Sequence, residues 1–293
     1  KQFKNMGHTI LGIDPSKKMK ELAKKRGIAN RCRLFNHDEA YTINRAVGKF
    51  DLVVANNVFN HANDPLDFAK GVNEVLSDNG AFVFEVPYWY NTIVDKRFDQ
   101  IYHEHVSYFT VKAAVKLLAK VGLTVYDVQW VDYHGGSIRV FARKGKGKKY
   151  NMVSNEVQRF IDKEKKEGLF TQERYDRFMK DIKKSRAIFL EKLYAISKTG
   201  KPIVGIGAAA KGNTFLNFYN IDNTVLDYVT DVSEYKIGKY TPLTRIPILD
   251  DKTVFDKYEN VYAIILSWNI SELLKEKLQK ISKANITFLT MQE

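Results

Sequence analysis

Phe50-Asp51-Leu52-Val53-Val54-Ala55-Asn56-Asn57 is an apolar, β-branched run that stops abruptly in two amides. Two similar runs flank it, at 8–13 and 80–86, and helical patterns at 17–26 and 65–76 separate the three. Strands alternating with helices predict βαβ units, a mostly parallel sheet and helices on both of its faces. In such doubly wound sheets ligands lie beyond the carboxyl ends of the strands. Asn56 and Asn57 fall there, as does Asp14 in Gly12-Ile13-Asp14-Pro15-Ser16. A carboxylate at that place accepts hydrogen bonds from both hydroxyls of a ribose, although an acid at the start of a helix gives the same pattern. Pro15 and Ser16 suit that helix start. The third run ends in Glu85-Val86-Pro87-Tyr88, adding a carboxylate and an aromatic ring at the same rim.

Further along, a helix is predicted over 111–121, closed by Gly122 at a left-handed cap. Strands at 124–133 and 137–143 follow, joined through His134-Gly135-Gly136, which implies an antiparallel hairpin at the sheet edge. A basic, glycine-punctuated stretch (144–149) then leads into helical patterns at 153–167 and 171–198, broken at Gly168. From Lys201 a second α/β unit begins, with strands at 202–206, 225–230, 261–265 and 286–289. The expected organisation is a first domain over 1–149, a helical linker over 150–200 and a Rossmann-like domain over 201–293.

Bulk composition excludes several classes. The 293 residues are 44% hydrophobic and 28% charged, as in ordinary globular domains. No apolar run approaches the roughly 20 residues of a spanning helix, so no membrane role is expected. Cys32 is the single cysteine, which rules out an internal disulfide and a thiolate zinc site and suits a reducing cytoplasm. The formal charge is +13, and residues 143–199 hold 17 Lys/Arg against 8 Asp/Glu. That surplus reads as a solvated helix face or a surface attractive to phosphate-bearing ligands. Nucleic-acid binding would require interleaved aromatic or base-reading groups, and this stretch offers few.

The densest chemistry is Asp99-Gln-Ile-Tyr-His-Glu-His-Val-Ser-Tyr-Phe109, with two histidines, a glutamate and two tyrosines. Histidine titrates near neutrality, so the cluster suits either proton transfer or a satisfied polar network. In the second unit, 202–207 runs into a glycine turn of the form G-x-G-x-x-A, starting at Gly205. Alone, that turn suggests an NAD(P)-dependent oxidoreductase with Asp231 holding a ribose. Lys211 follows closely and points instead to neutralisation of phosphate charge.

Gly12–Ser16, Phe50–Val58 and Tyr102-His103-Glu104-His105 resemble S-adenosylmethionine-dependent sugar C-methyltransferases. So do His134-Gly-Gly-Ser-Ile-Arg139, Gly205-Ile-Gly-Ala-Ala-Ala-Lys-Gly-Asn-Thr214, Lys236-Ile-Gly-Lys-Tyr-Thr-Pro242 and Ser267-Trp268-Asn269. The likeness implies a class I methyltransferase-like doubly wound sheet, a helical linker and a second Rossmann-like domain that helps hold a nucleotide-sugar. It implies S-adenosylmethionine as cofactor, near Asp14, Asn56 and Asn57, and a nucleotide-linked deoxyketosugar as substrate. His105 is then the base that forms an enolate, with Tyr102 orienting the sugar and Glu104 positioning or polarising the imidazole. His103 occupies a variable position of the motif. Gly207, Lys211 and Asn213 become phosphate-side residues, with Lys236 and Tyr240 as weaker candidates. Tyr88 and Tyr108 are either sugar-facing or core, and Arg139 meets either an anion or a strand-surface carboxylate. Methylation at O or N in the same fold is the alternative acceptor chemistry. Family members also carry an N-terminal zinc module, then a strand and glycine loop for the cofactor. By this likeness the sequence starts after them, so the sheet is expected to lack its first strand, leaving a gap beside the strand that ends at Asp14. Zinc is expected only in that module, and this stretch alone is expected to be inactive.

Overall fold

A computed structural model describes residues 1–145, 153–251 and 258–289. Its α-helices are α1 (Gln2–Asn5), α2 (Lys17–Lys25), α3 (His37–Val47), α4 (Pro65–Val75), α5 (Trp89–Val94), α6 (Val111–Ala119), α7 (Asn155–Lys166), α8 (Gln172–Ser197), α9 (Ala210–Tyr219) and α10 (Ser271–Ile281). The strands of the first half are β1 (Leu11–Ile13), β2 (Ala29–Arg31), β3 (Phe50–Asn56), β4 (Leu76–Pro87), β5 (Leu123–Val131) and β6 (Ser137–Lys144). The second half holds β7 (Ile203–Ile206), β8 (Tyr228–Asp231), β9 (Ile248–Asp250), β10 (Asn260–Ile265) and β11 (Asn285–Leu289). The architecture is α/β, as the alternation of patterns requires.

Residue contacts divide the chain into two compact units built from discontinuous segments. The first comprises Lys1–Tyr88, Val106–Val131 and Gly136–Glu164; the second comprises Trp89–His105, Asp132–Gly135 and Lys165–Glu293. The sequence-based borders at 149 and 200 are contiguous and so differ from this division. The linker helices part company: α7 joins the first unit up to Glu164, while α8 joins the second. Much of the basic 144–149 stretch lies outside the described residues.

In the first unit, β3 and β4 run parallel, and the β5–β6 hairpin adds antiparallel strands to give the order β3-β4-β6-β5. β1 and β2 form a separate parallel pair. β1 and β3 therefore each keep one edge without a strand partner among the described residues. A groove of about 200 Å³ lined by Leu11, Ile13, Leu52 and Val54 adjoins those edges.

The second unit has a fully parallel sheet, β11-β10-β7-β8-β9, with all four residues of β7 buried. Burial on both faces explains why β7 reads as a continuous apolar run rather than an alternating one. Long α8 packs Phe178, Ile182, Phe189 and Leu193 inward at helical spacing, while Lys180, Lys183, Lys184 and Lys192 are exposed. Here the positive surplus is a solvated face. Two strands had no sequence signal, β2 and β9, since three residues are too few to show a period. β8 starts three residues later than expected because Asp222 turns the chain, its carboxylate accepting from the Thr224 amide at 2.9 Å.

Besides the buried Val157 and Phe160, one carboxylate ties α7 to the first unit. Glu164 is fully buried, and its oxygens accept from the amides of Val111 (2.5 Å) and Lys112 (3.1 Å) at the start of α6 and from the Tyr88 hydroxyl (3.0 Å). Burial pushes this carboxyl above its usual range, opposed by those same hydrogen bonds. Removing it strands several buried donors at about 1–3 kcal/mol each. Glu164→Ala should lower the unfolding free energy by about 3 kcal/mol and Tyr88→Phe by about 1 kcal/mol. In urea titrations the double variant should lose less than the sum, since the two share one bond.

Candidate functional site

Within the first unit, polar groups collect at the carboxyl ends of β1 and β3. Asp14 Oδ1 accepts from the Ser16 amide at 2.8 Å, and Ser16 Oγ caps α2 by accepting from Met19 N at 3.3 Å. Asn56 ends β3 exposed, and Asn57 takes a left-handed φ of 51°, its amide bonded to the Glu85 carbonyl at 2.7 Å. The side chains of Asn30, Asn57 and Asn60 all hold buried polar atoms without a hydrogen-bond partner. Such orphans are uncommon in folded proteins. Several at the ligand end of a doubly wound sheet fit a polar nucleoside-type group, so the residues present suit the cofactor that the sequence implies. Asn30 and Asn60 were missed in the sequence because an amide in a strand or a turn carries no pattern of its own.

Two residues of the expected substrate set have structural employment instead. Tyr88 is 1% exposed and gives its hydroxyl to Glu164, so it is a core residue here. Arg139 forms a two-nitrogen contact with Glu85 Oε2, at 2.8 and 3.1 Å, which is the strand-surface ion pair of its two readings.

The second unit contains the histidine cluster. His105 Nδ1 lies 2.9 Å from the Gln100 carbonyl, and Nε2 lies 2.8 Å from the Tyr102 hydroxyl. A carbonyl oxygen only accepts, so Nδ1 carries the proton and Nε2 presents its lone pair toward Tyr102. The two rings lie 4.1 Å apart, centre to centre. Glu104 is exposed and makes no hydrogen bond or ion pair with the described residues. The expectation that Glu104 positions the imidazole is thereby corrected: the Gln100 carbonyl does so, because the turn aims the adjacent carboxylate at solvent. His103 is likewise exposed.

The same unit gathers charge around Trp268. Its indole nitrogen donates to Asp99 Oδ2 at 2.5 Å, the Arg97 guanidinium lies 3.9 Å from its ring centre, and Lys211 Nζ lies 4.8 Å away. Lys211 is 8% exposed and donates to Asn269 Oδ1 at 3.0 Å, with no carboxylate in ion-pair range among the described residues. Burial lowers its pKa, opposed by Asp99. Asp99 is raised by burial, opposed by its bond from Trp268 and by Lys211. Gln100 Nε2 donates to the His134 carbonyl at 2.9 Å, which brings the 132–135 turn beside the cluster.

The glycine turn is packed rather than open. Gly207 has φ of 87°, and a Cβ there would lie 2.2 Å from Ser267 Oγ. Asn213 Oδ1 accepts from Asn217 within α9, at 3.2 Å. Asp231 Oδ2 accepts from Ala208 N (2.9 Å) and Lys236 Nζ (3.1 Å), and Oδ1 from Ser233 N (2.9 Å). Tyr240 is 66% exposed. Among the described residues no cluster of three His, Cys, Asp or Glu could hold a metal ion, and no helix is long and apolar enough to cross a membrane.

Comparison with known proteins agrees with this layout. The family described as the C-methyltransferase C-terminal domain matches residues 132–291, and a methyltransferase-domain family matches residues 1–128. The C-methyltransferase NovU of Streptomyces niveus is 30% identical over 267 residues, 91% of this chain and 63% of that protein. This chain thus spans less than two thirds of that relative's length. Among solved structures, an S-adenosylmethionine-dependent methyltransferase from Anabaena variabilis is 13% identical, covering 49% of this chain and 72% of that one with a TM-score of 0.39. The 1,6-didemethyltoxoflavin-N1-methyltransferase of Burkholderia thailandensis is 17% identical over 49% and 64% of the two chains, with a TM-score of 0.37. These structural likenesses are too slight to carry an argument.

His134 supplies a pH test. Burial and the neighbouring Lys211 push its pKa down to about 4. The unfolded chain then binds this proton more readily than the fold, so stability is full above about pH 6.5 and declines as pH falls toward 4. Melting temperatures at pH 7.5, 6, 5 and 4.5 should drop along that course, and His134→Asn should flatten the decline. An equally steep decline in the variant would refute the assignment.

Proposed function

Because this chain belongs to the C-methyltransferase family, we propose that it moves a methyl group from S-adenosylmethionine to a carbon atom of a nucleotide-linked deoxyketosugar. The observation that carries this reading is the His105 geometry: one nitrogen committed to the Gln100 carbonyl, the other left as a base beside Tyr102. Carbon is a poor nucleophile until a proton is removed next to a carbonyl. His105 Nε2 takes that proton, and the electron pair of the broken C–H bond moves into the enolate. The cofactor, when bound, supplies an electrophilic methyl on sulfur. Tyr102 orients the sugar through its hydroxyl, which also meets His105 Nε2 at 2.8 Å. General base catalysis of this kind contributes about 10²- to 10⁴-fold.

The remaining residues divide the binding work. Asp14 would hold ribose hydroxyls, and Asn56 and Asn57 would meet the rest of the cofactor. Lys211, buried with only a neutral partner, supports an anionic substrate group in the second unit. Gly207 and Asn213 serve that region indirectly, by allowing close packing and by ordering α9. The NAD(P) reading is disfavoured because Asp231 spends both oxygens on Ala208, Ser233 and Lys236, and because Ser267 fills the space over Gly207. A nucleic-acid role has little support from the exposed lysines of α8, among which Tyr194 is the one exposed aromatic of the helix.

Deuterium wash-in at the carbon beside the ketone isolates the first chemical step. His105→Ala should slow it by about 10²-fold or more while leaving the affinity for S-adenosylhomocysteine within about twofold. Undiminished wash-in in the variant would remove enolate chemistry at His105, and NADH binding without any homocysteine-nucleoside binding would move the function to the glycine turn.

A further inference from the structure

We infer that Asp99 and Gln100 are positioning residues for His105, anchored on Trp268 and on the backbone of His134. The inference rests on the reading of His105 as the base, although its structural half can be measured alone.

The tautomer of His105 depends on where one oxygen sits, the carbonyl of Gln100. That carbonyl closes a single 3-10 turn, Phe98–Gln100, and one turn of this kind has little rigidity of its own. Two side chains clamp it from consecutive positions. Asp99, 2% exposed, accepts the indole N–H of Trp268, a residue 169 positions away. Gln100, 3% exposed, donates its amide to the His134 carbonyl. Burying a carboxylate and an amide in one turn is expensive unless each is bonded, and each is bonded to an element distant in sequence.

Gly135 shows that the approach is built in. Its φ is +78°, and an added Cβ would lie 2.6 Å from both the Trp268 ring and Arg97 Nη1. Only glycine lets the turn come close enough for the preceding carbonyl to reach Gln100. The chain of contacts therefore runs from Trp268 through Asp99 to the peptide of Gln100, with His134 holding the other side, and ends at Nδ1 of His105.

Two variants remove the clamps without removing the carbonyl. Trp268→Phe keeps an aromatic ring beneath Arg97 but loses the indole N–H, and Gln100→Leu keeps side-chain bulk but loses the amide. Nitrogen-15 NMR of histidine-labelled protein, assigned with His105→Gln, reads the tautomer directly. His105 should be Nδ1-protonated when neutral in the parent chain, and a substantial Nε2-protonated share should appear in both variants. Deuterium wash-in should fall by about 10²-fold, the scale of an ångström-sized misplacement, while S-adenosylhomocysteine affinity stays within about twofold. Asp99→Asn, which keeps an acceptor for the indole, should fall between parent and Trp268→Phe. An unchanged tautomer in both variants overturns the proposal, as does a parallel loss of wash-in and S-adenosylhomocysteine binding, which would signal general disorder. Absence of wash-in from the parent with the tautomer shifts intact would defeat the base assignment and leave the positioning role supported.

Discussion

The hydrogen bond from Trp268 to Asp99 is the contact on which the arrangement of the second unit turns. It fastens a segment lying between β4 and α6 to the end of β10. It adds to the packing of Trp89 and Ile93 against Phe178 and Ile182, which also holds residues 89–105 in the second unit. The segment packs among the helices and strands of the second half, and Phe98 stacks near Phe218 and Tyr219 of α9. The consequence is chemical: His105 and Tyr102 belong to the same compact unit as Lys211 and His134.

Around Lys211 the charge is not directly paired: among the described residues no carboxylate lies in ion-pair range of its buried ammonium, which donates to the neutral Asn269. Asp99 supplies a compensating charge at longer range but is itself satisfied by Trp268. His134 stays neutral because burial and Lys211 both oppose protonation. A site assembled this way carries unspent positive potential in a low-dielectric setting, where it acts more strongly than at a surface. The first unit shows the complementary economy: its ligand end offers unpaired amides from Asn30, Asn57 and Asn60 and one carboxylate, a neutral-to-acidic set suited to hydroxyls and amines.

The sequence made the strand–helix alternation legible, because β3, β4, β7 and β10 are apolar runs with clear stops, and the hairpin was marked by His134-Gly135-Gly136. It could not show that units are built from interleaved segments, since the deciding contacts, Glu164 with α6 and Trp268 with Asp99, span 52 to 169 residues. The likeness singled out His105, Tyr102 and Lys211, which the fold places in one unit, and also Tyr88 and Glu104, which lie in the core and at the surface. The glycines of 205–212 read as a phosphate cradle because sequence cannot distinguish room for a ligand from room for a side chain. In the fold, Leu266 and Ser267 take that room.

Under the proposed role of His105 as base, a carbonyl rather than a carboxylate behind its ring has a chemical reason. A carboxylate at Nδ1 would stabilise the imidazolium and hold the abstracted proton firmly. It would also place a negative charge beside a developing enolate. The Gln100 carbonyl gives orientation and tautomer choice without a full charge. The burden then shifts from electrostatics to geometry, since a neutral acceptor orients the ring only where its own peptide is held. Buried, doubly anchored residues at 99 and 100, and a glycine at 135 that admits the anchor, are what such a design demands.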